Sequence, residues 1–432
     1  MSERKRTSQM SGGLSRRRFL GTTTSAALAL AASSGSVWAR PAGANERLGI
    51  GVIGCGGRGT SHLDLLKHLK DTGQNIEIVA VSDVYRPRLD DRAKRFGGKA
   101  YMDHRELLAD KNVDVVCVAT PDHQHGPQAI DAIKAGKDVY CEKPVTHWSQ
   151  FEVTKKLAKT VAESDRVFQL GTQAMSDGLW ARMRELVKAG MIGQPIHAEA
   201  GFFRVGDWGE RGMPIDDPNA KPGADLNWEA FLGDRPKRDF DVSRFFRWRM
   251  YEDYAGGPVT DLYPHSLTPV FSVLGVGMPS RVVAAGGKYR YEEREVPDTF
   301  HMLIDFPEKL TVTMMGTQAN DYATTGQRGA GSRVPVIRGW EGSLFLDQKT
   351  NKVQFVPIEG GEKKSESFPI EYGEDMAGYW VKFLECVRKR QKDTLSPMDL
   401  AFKVQTACQM GMLALREGKV ARYDAKAETI VL

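Results

Sequence analysis

Leu48-Gly49-Ile50-Gly51-Val52-Ile53-Gly54-Cys55-Gly56-Gly57-Arg58-Gly59 decides the fold. Its first six residues read as a buried strand that runs straight into G-x-G-x-x-G at Gly54, Gly56 and Gly59. Leu63, Leu66 and Leu69 then recur on one face of a helical pattern. The physical reading is a tight strand-to-helix turn. The first glycine permits the turn, the second lets a pyrophosphate approach the backbone, and the third packs helix on strand. Gly57 and Arg58 complete the cradle, and the helix start offers unbonded N–H groups to an anion. A second strand, Ile76 to Val81, ends in Ser82-Asp83. Asp83 lies 24 residues past Gly59, where an acid meets ribose hydroxyls and repels a 2′-phosphate. NAD is therefore the expected cofactor and NADP the less favoured one, although Arg86 and Arg88 follow closely and work against that preference.

The alternation of strand and helix continues outward. Asp103-His104-Arg105-Glu106 opens a short helix with an acid at the cap. Val113 to Thr120 is a buried strand ending in Pro121-Asp122-His123-Gln124-His125. Asp138 to Cys141 is another, ending in Glu142-Lys143-Pro144. A helix from about Ser149 to Ser164 leads to the strand Val167 to Leu170. This pattern predicts a six-stranded, parallel, doubly wound sheet over residues 46–172. Ligands in such sheets sit beyond the carboxyl ends of the strands. Asp83, Thr120, Pro121, His125, Glu142 and Lys143 all follow strand ends, so one crevice would gather them.

Residues 173–432 read differently. His197 to Phe203, Arg281 to Ala285, Asp298 to Phe306, Leu310 to Met315, Gly342 to Leu346 and Lys352 to Val356 are strand patterns. Pro307-Glu308-Lys309 marks a hairpin, and helices close the chain at about Met376–Arg390 and Pro397–Glu417. An α+β domain follows, with a large open, mostly antiparallel sheet and flanking helices. The uncovered face of such a sheet is a natural surface for a homo-oligomer, dimer or tetramer. Between these parts, Gly206 to Arg249 is rich in Trp, Arg, Asp and Pro, with Trp208, Trp228, Arg244, Arg247 and Trp248. Its aromatic faces and guanidinium groups suit sugar rings and hydroxyls, and an insertion packed over the pocket entrance explains them equally. Thr324 to Ser332, with three glycines, reads as a loop.

Charge excludes several partners. Of 60 Lys+Arg and 55 Asp+Glu, six and one lie in residues 1–39, which leaves 54 of each for the remainder. The body carries no net field for nucleic acid. The leader itself is ordered like an export signal. Arg16-Arg17-Arg18 precedes a short apolar stretch, Leu20 to Ala32, and Val37-Trp38-Ala39 offers small residues for cleavage. It resembles a twin-arginine signal, which implies a mature chain starting near Arg40 in the periplasm, with no stable membrane insertion. Five cysteines without a C-x-x-C rule out a disulfide scaffold. Asp122, His123 and His125 lack the further ligands that a metal site needs, so no metal is expected.

Glu142-Lys143-Pro144 after the fifth strand, Ala119-Thr120-Pro121 with His125, and Gly256-Gly257 followed by Asp261 and His265 resemble the glucose–fructose oxidoreductase / inositol dehydrogenase (Gfo/Idh/MocA) family. The likeness spans nearly all of the chain beyond the leader. It implies an N-terminal Rossmann domain, a C-terminal domain on an open sheet, and reversible NAD(P)-linked oxidation of a hydroxyl on a sugar, polyol or glycoside. One departure stands out. The family often has a glycine shortly before the histidine, where this chain has Asp261-Leu262-Tyr263-Pro264-His265.

Oxidising an alcohol needs a hydride acceptor, a base, and a cation for developing alkoxide. Asp261 and His265, at i and i+4, would share a face if that segment is helical. Histidine has a suitable pKa for the base. Asp261 either meets the same hydroxyl or orients the imidazole. Lys143 supplies the cation. Gln173 and Tyr263 are candidates for the substrate pocket, Tyr263 being as easily a packing residue. The same residues would serve an NAD-dependent glycosidase working by oxidation, elimination, hydration and reduction, and a non-catalytic sensor is a third reading. An exported enzyme of this kind would have to carry its cofactor tightly bound.

Overall fold

The computed structural model describes residues 47–205, 213–323 and 335–432. The leader, Trp208 and the glycine run at 324–332 lie outside the described residues.

The first domain alternates β1 (Leu48–Ile53), α1 (Gly57–Asp71), β2 (Ile76–Ser82), α2 (Arg86–Phe96), β3 (Lys99–Tyr101), α3 (His104–Ala109), β4 (Val115–Val118), α4 (Asp122–Lys134), β5 (Asp138–Glu142), α5 (Phe151–Glu163) and β6 (Phe168–Gly171). Its strands lie in the order β3-β2-β1-β4-β5-β6, and every pairing is parallel. Helices cover both faces, so the central strands are apolar on both sides, and Ile50, Val52, Val115 and Val116 are wholly buried. The six strands expected are present; β3, which hydrophobic patterning did not locate, is short and mostly exposed. The Asp103 carboxylate caps α3 by accepting the Arg105 N–H at 2.9 Å.

The second domain is built on a mixed sheet whose long central strands are β7 (Pro195–Val205), β8 (Arg281–Gly287), β9 (Thr299–Phe306) and β10 (Leu310–Thr317). Strands β12 (Val336–Gly339), β13 (Gly342–Asp347), β14 (Lys352–Pro357), β15 (Glu366–Pro369), β16 (Ala421–Asp424) and β17 (Thr429–Val431) flank these four in the order β15-β14-β13-β12-β7-β10-β9-β8-β16-β17. Only β7 and β10 pair in parallel along this path; the other neighbours are antiparallel. Burial alternates along β10, so one face carries Val312 and Met314 inward. Two helices lie on that face, α10 (Tyr263–Leu274) and α12 (Met398–Glu417), with Leu267, Val270, Phe271, Val404 and Met410 in the shared core.

Helix α11 (Met376–Lys389) belongs by sequence to the second half but packs on the first. Tyr379, Trp380, Phe383 and Leu384 join the core of Ile50, Val52, Leu63 and Tyr140. Trp380 stacks on Tyr140 at 4.2 Å between centroids. Arg390 then grips Asp138 at the start of β5 with two nitrogens, at 2.6 and 2.9 Å. The sequence boundary at 172/173 therefore divides the chain path but not the packing.

The aromatic insertion forms a compact cluster. Trp228 stacks on Phe231, and Phe245, Phe246, Trp248 and Tyr254 complete it. Arg244 pairs with Asp253 and Glu295. These rings are packed against one another, and several of them form one wall of the cavity described next.

Candidate active site

A cavity of about 890 Å³ opens where the carboxyl ends of β1, β2, β4 and β5 meet the insertion and the turn before α10. It is lined by Gly54, Gly56, Gly57, Arg58, Asp83, Thr120, Pro121, His125, Glu142, Lys143, Gln173, Asp261 and His265. Residues spread over more than 200 positions thus reach one space.

The glycine turn leaves bare backbone toward this cavity. A Cβ on Gly57 would meet nothing within 4 Å, whereas one on Gly59 would sit 1.8 Å from the Gly54 carbonyl oxygen. Gly59 is thus the packing glycine and does not line the cavity, while Gly56 and Gly57 face it. Helix α1 has no side-chain cap and no acid in its first turn, so its N–H groups remain available to an anion. The two Asp83 oxygens accept the N–H groups of Cys55 at 2.8 Å and Tyr85 at 2.9 Å. Arg88 lies 3.7 Å from the same carboxylate and also bonds Asp216 at 2.9 Å. This bare cradle with an acid on the next strand fits a dinucleotide.

Glu142 does not point at the cavity as a free acid. Its Oε1 accepts Arg58 Nε and His62 Nε2, each at 2.7 Å. Trp380 Nε1 donates to His62 Nδ1 at 3.1 Å, which fixes the imidazole as the neutral Nε2–H tautomer. Burial alone would raise the Glu142 pKa, but Arg58 and His62 hold it well below the usual carboxylate range. Burial pulls His62 below its ordinary value. Glu142 therefore anchors the arginine of the glycine turn. Arg58 and His62 are one turn apart on α1, a spacing that could have revealed this pair to sequence reading.

His125 lines the cavity wall yet is 2% exposed. Its Nδ1 lies 2.6 Å from the Pro144 carbonyl and its Nε2 2.7 Å from the Thr120 carbonyl, so it ties two strand-end loops together. Burial lowers its pKa. His123 bonds the Phe231 carbonyl at 2.7 Å. Among the described residues no group of His, Cys, Asp and Glu is arranged to hold a metal.

The reaction end is built around Lys143 and Asp261. The Lys143–Pro144 peptide is cis. Lys143 Nζ donates to the Asp261 backbone oxygen at 2.6 Å and to Oδ1 at 2.9 Å. Arg249 Nε approaches Oδ1 at 3.4 Å and Arg204 Nη2 approaches Oδ2 at 3.7 Å. Burial works against ionisation, but Lys143, Arg249 and Arg204 hold Asp261 far below the usual carboxylate range. The geometry adds a further role for Asp261: it is a fixed anion that grips Lys143. The segment is helical but broken between the two residues. Residues Pro258–Asp261 form one turn (α9), and α10 starts afresh at Tyr263. Asp261 and His265 face the cavity despite that break.

Tyr263 is a correction. Its side chain is wholly buried, its hydroxyl donates to the Phe300 carbonyl, and its ring meets Phe300 edge-on. It packs α10 on the sheet and does not reach the substrate cavity. Two residues were missed. Arg249 lines the cavity beside Lys143. Asp122, 4% exposed and beside the Thr260 hydroxyl, lies close enough to Asp261, Arg249 and Lys143 to feel their charge. Burial, aided by Asp261, pushes its pKa up to about 7. Asp122 was weighed only as a metal ligand, because nothing local distinguishes it from a helix-start acid. All five cysteines are free thiols.

Comparison with known proteins agrees with this arrangement. Residues 48–172 match the GFO_IDH_MocA family model, described as an oxidoreductase family NAD-binding Rossmann fold, and 179–432 match its C-terminal alpha/beta domain. An inositol 2-dehydrogenase of Rubrobacter xylanophilus is 31% identical over 155 residues, 36% of this chain and 43% of that protein. A myo-inositol 2-dehydrogenase of Thermotoga maritima is 32% identical over 212 residues, 49% of this chain and 58% of that protein. The chain spans about half the length of the curated relatives it matches. A levoglucosan dehydrogenase solved with NADH and levoglucosan has a TM-score of 0.65 at 17% identity, covering 87% of this chain and 99% of that one. The aldose-aldose oxidoreductase from Caulobacter crescentus gives 0.63 at 18%, covering 87% and 99%. These two likenesses are of fold.

Proposed function

The chain belongs to the Gfo/Idh/MocA oxidoreductase family, and from that premise we propose that it oxidises and reduces a CH–OH group of a sugar or polyol with NAD. The observation that carries this reading is the Lys143–Asp261 pair, at 2.9 Å, in the same cavity as His265 and the bare glycine turn. Bound nicotinamide supplies the hydride acceptor and donor. Lys143, held by a permanent anion, presents its ammonium to the reacting oxygen and favours alkoxide character. His265 takes the hydroxyl proton on oxidation and returns it on reduction. Asp83, already fixed by two backbone donors, favours the ribose hydroxyls of NAD over a 2′-phosphate.

The finer reading extends to setting. The leader sends the folded protein to the periplasm with its cofactor bound, and the mature chain assembles as a homo-oligomer, dimer or tetramer. The test is direct. Purified protein is incubated with NAD and a panel of sugars and polyols, and nicotinamide absorbance is followed. Turnover that is lost in Lys143→Ala and His265→Ala, with cofactor binding retained, supports the reading. A protein that neither carries nor binds nicotinamide overturns it. A stable keto product marks plain oxidation, whereas solvent deuterium entering next to the oxidised carbon marks the elimination route of a glycosidase. Export that survives Arg16→Lys with Arg17→Lys removes the periplasmic part, and light scattering settles the assembly.

A further inference from the structure

Arg249 stands in the reaction cavity, and among the described residues the one carboxylate it contacts, Asp261, is shared with Lys143. Its guanidinium lies over the Trp248 ring, 4.2 Å from the centroid, which holds the plane in one orientation. Nε is 3.4 Å from Asp261 Oδ1, a long contact to an oxygen that already accepts Lys143 at 2.9 Å. Nη1 has the Met213 thioether at 3.4 Å, a weak acceptor. Among the described residues no protein oxygen accepts from either terminal nitrogen.

Among the described residues the charged groups around Arg249 do not balance it. Lys143 follows β5, Asp261 ends α9, and Arg204 on β7 reaches the second Asp261 oxygen at 3.7 Å. The other acid that feels Arg249 is Asp122 on α4, buried and displaced toward its neutral form. Among the described residues one firmly ionised carboxylate, Asp261, thus faces both Lys143 and Arg249. A guanidinium with its outer N–H groups turned to a cavity is matched to the paired oxygens of a carboxylate or phosphate.

We propose that the substrate carries an anionic group, a carboxylate or a phosphate, which Arg249 receives while the reacting hydroxyl faces Lys143 and His265. This rests on the oxidoreductase reading of the same cavity. The holoprotein is assayed with D-glucuronate and D-gluconate, with D-glucose 6-phosphate, and with the neutral D-glucose and myo-inositol. Turnover is expected on an acidic arm, the carboxylate and phosphate arms telling which anion is preferred. In Arg249→Gln the KM for the acidic substrate rises roughly 30-fold, about 2 kcal/mol, and the loss falls on KM rather than kcat. Arg249→Lys recovers part of it, and added salt weakens the wild type more than Arg249→Gln. Preference for neutral sugars, or an equal loss of kcat on neutral and acidic compounds, overturns the proposal, since Arg249 would then only steady Asp261. If nothing is oxidised, the functional reading fails separately. Calorimetric binding of glucuronate and glucose 6-phosphate then decides: weaker binding of either by Arg249→Gln than by wild type sustains the anion site, and absent or equal binding overturns it.

Discussion

Replacing Asp122 by asparagine is expected to stabilise the protein at alkaline pH and to do nearly nothing in acid. Asp122 is 4% exposed at the start of α4. Burial pushes its pKa from 3.8 to about 7, with Asp261 adding to the rise while Arg249, Lys143 and the Thr260 hydroxyl oppose it. The native state therefore keeps a proton that the unfolded chain releases near 3.8. Where the native state binds more protons, stability is complete at low pH and falls as pH rises through the folded value. The full difference corresponds to about 4 kcal/mol once Asp122 is ionised, at 1.36 kcal/mol per decade. Water penetration around the ionised group reduces this, so about 2–4 kcal/mol is expected above roughly pH 8. Asparagine has the same shape and no such cost. Urea unfolding followed by tryptophan fluorescence, on both proteins across a pH series, isolates Asp122 because every other titrating group is shared. The stability difference should be flat below about pH 4 and grow in favour of asparagine through about pH 7. A difference that does not change with pH, or asparagine losing ground as pH rises, would refute the reasoning.

Other outcomes follow from the same contacts. Lys143→Ala should lower kcat by roughly 10²–10³ while the NAD dissociation constant, read by calorimetry, moves only a few-fold; a change in KM alone would contradict the role given to the ammonium. Gly59→Ala places a Cβ 1.8 Å from the Gly54 carbonyl, so the turn must shift, and NAD affinity should fall at least about tenfold. Trp380→Phe keeps an aromatic side chain but removes the fused pyrrole ring of a wholly buried residue and the N–H that meets His62 Nδ1 at 3.1 Å, so the cavity and the lost hydrogen bond together should cost about 2–4 kcal/mol. Unchanged urea stability of that variant would show that the Trp380–His62–Glu142 chain is not what fixes Arg58.

The sequence by itself determined the first domain almost completely, because its signals are local. A buried strand, a glycine turn and an apolar helix face are each written within a dozen residues, and the motif repeats its logic at Asp83, Thr120 and Glu142. The longer strands and the two closing helices of the second domain were also legible, since period-two and helical patterning need no partner to be read, whereas the short strands Val336–Gly339, Glu366–Pro369, Ala421–Asp424 and Thr429–Val431 carry too little pattern to be read alone. Tertiary structure alone decided which side chains meet. Tyr263 sits one residue from the α9/α10 break, and only the packing of α10 on β9 turns it into the core. Trp380 reaches His62 across 318 positions, and Lys143 reaches Asp261 across 118. Charge state followed the same rule. Asp261 and Asp122 are both aspartates near helix ends, yet one is held ionised by three cations and the other is pushed toward its neutral form by burial. A pKa is set by the solvent a group loses and the charges it gains, and both belong to the folded arrangement rather than to neighbours in the chain.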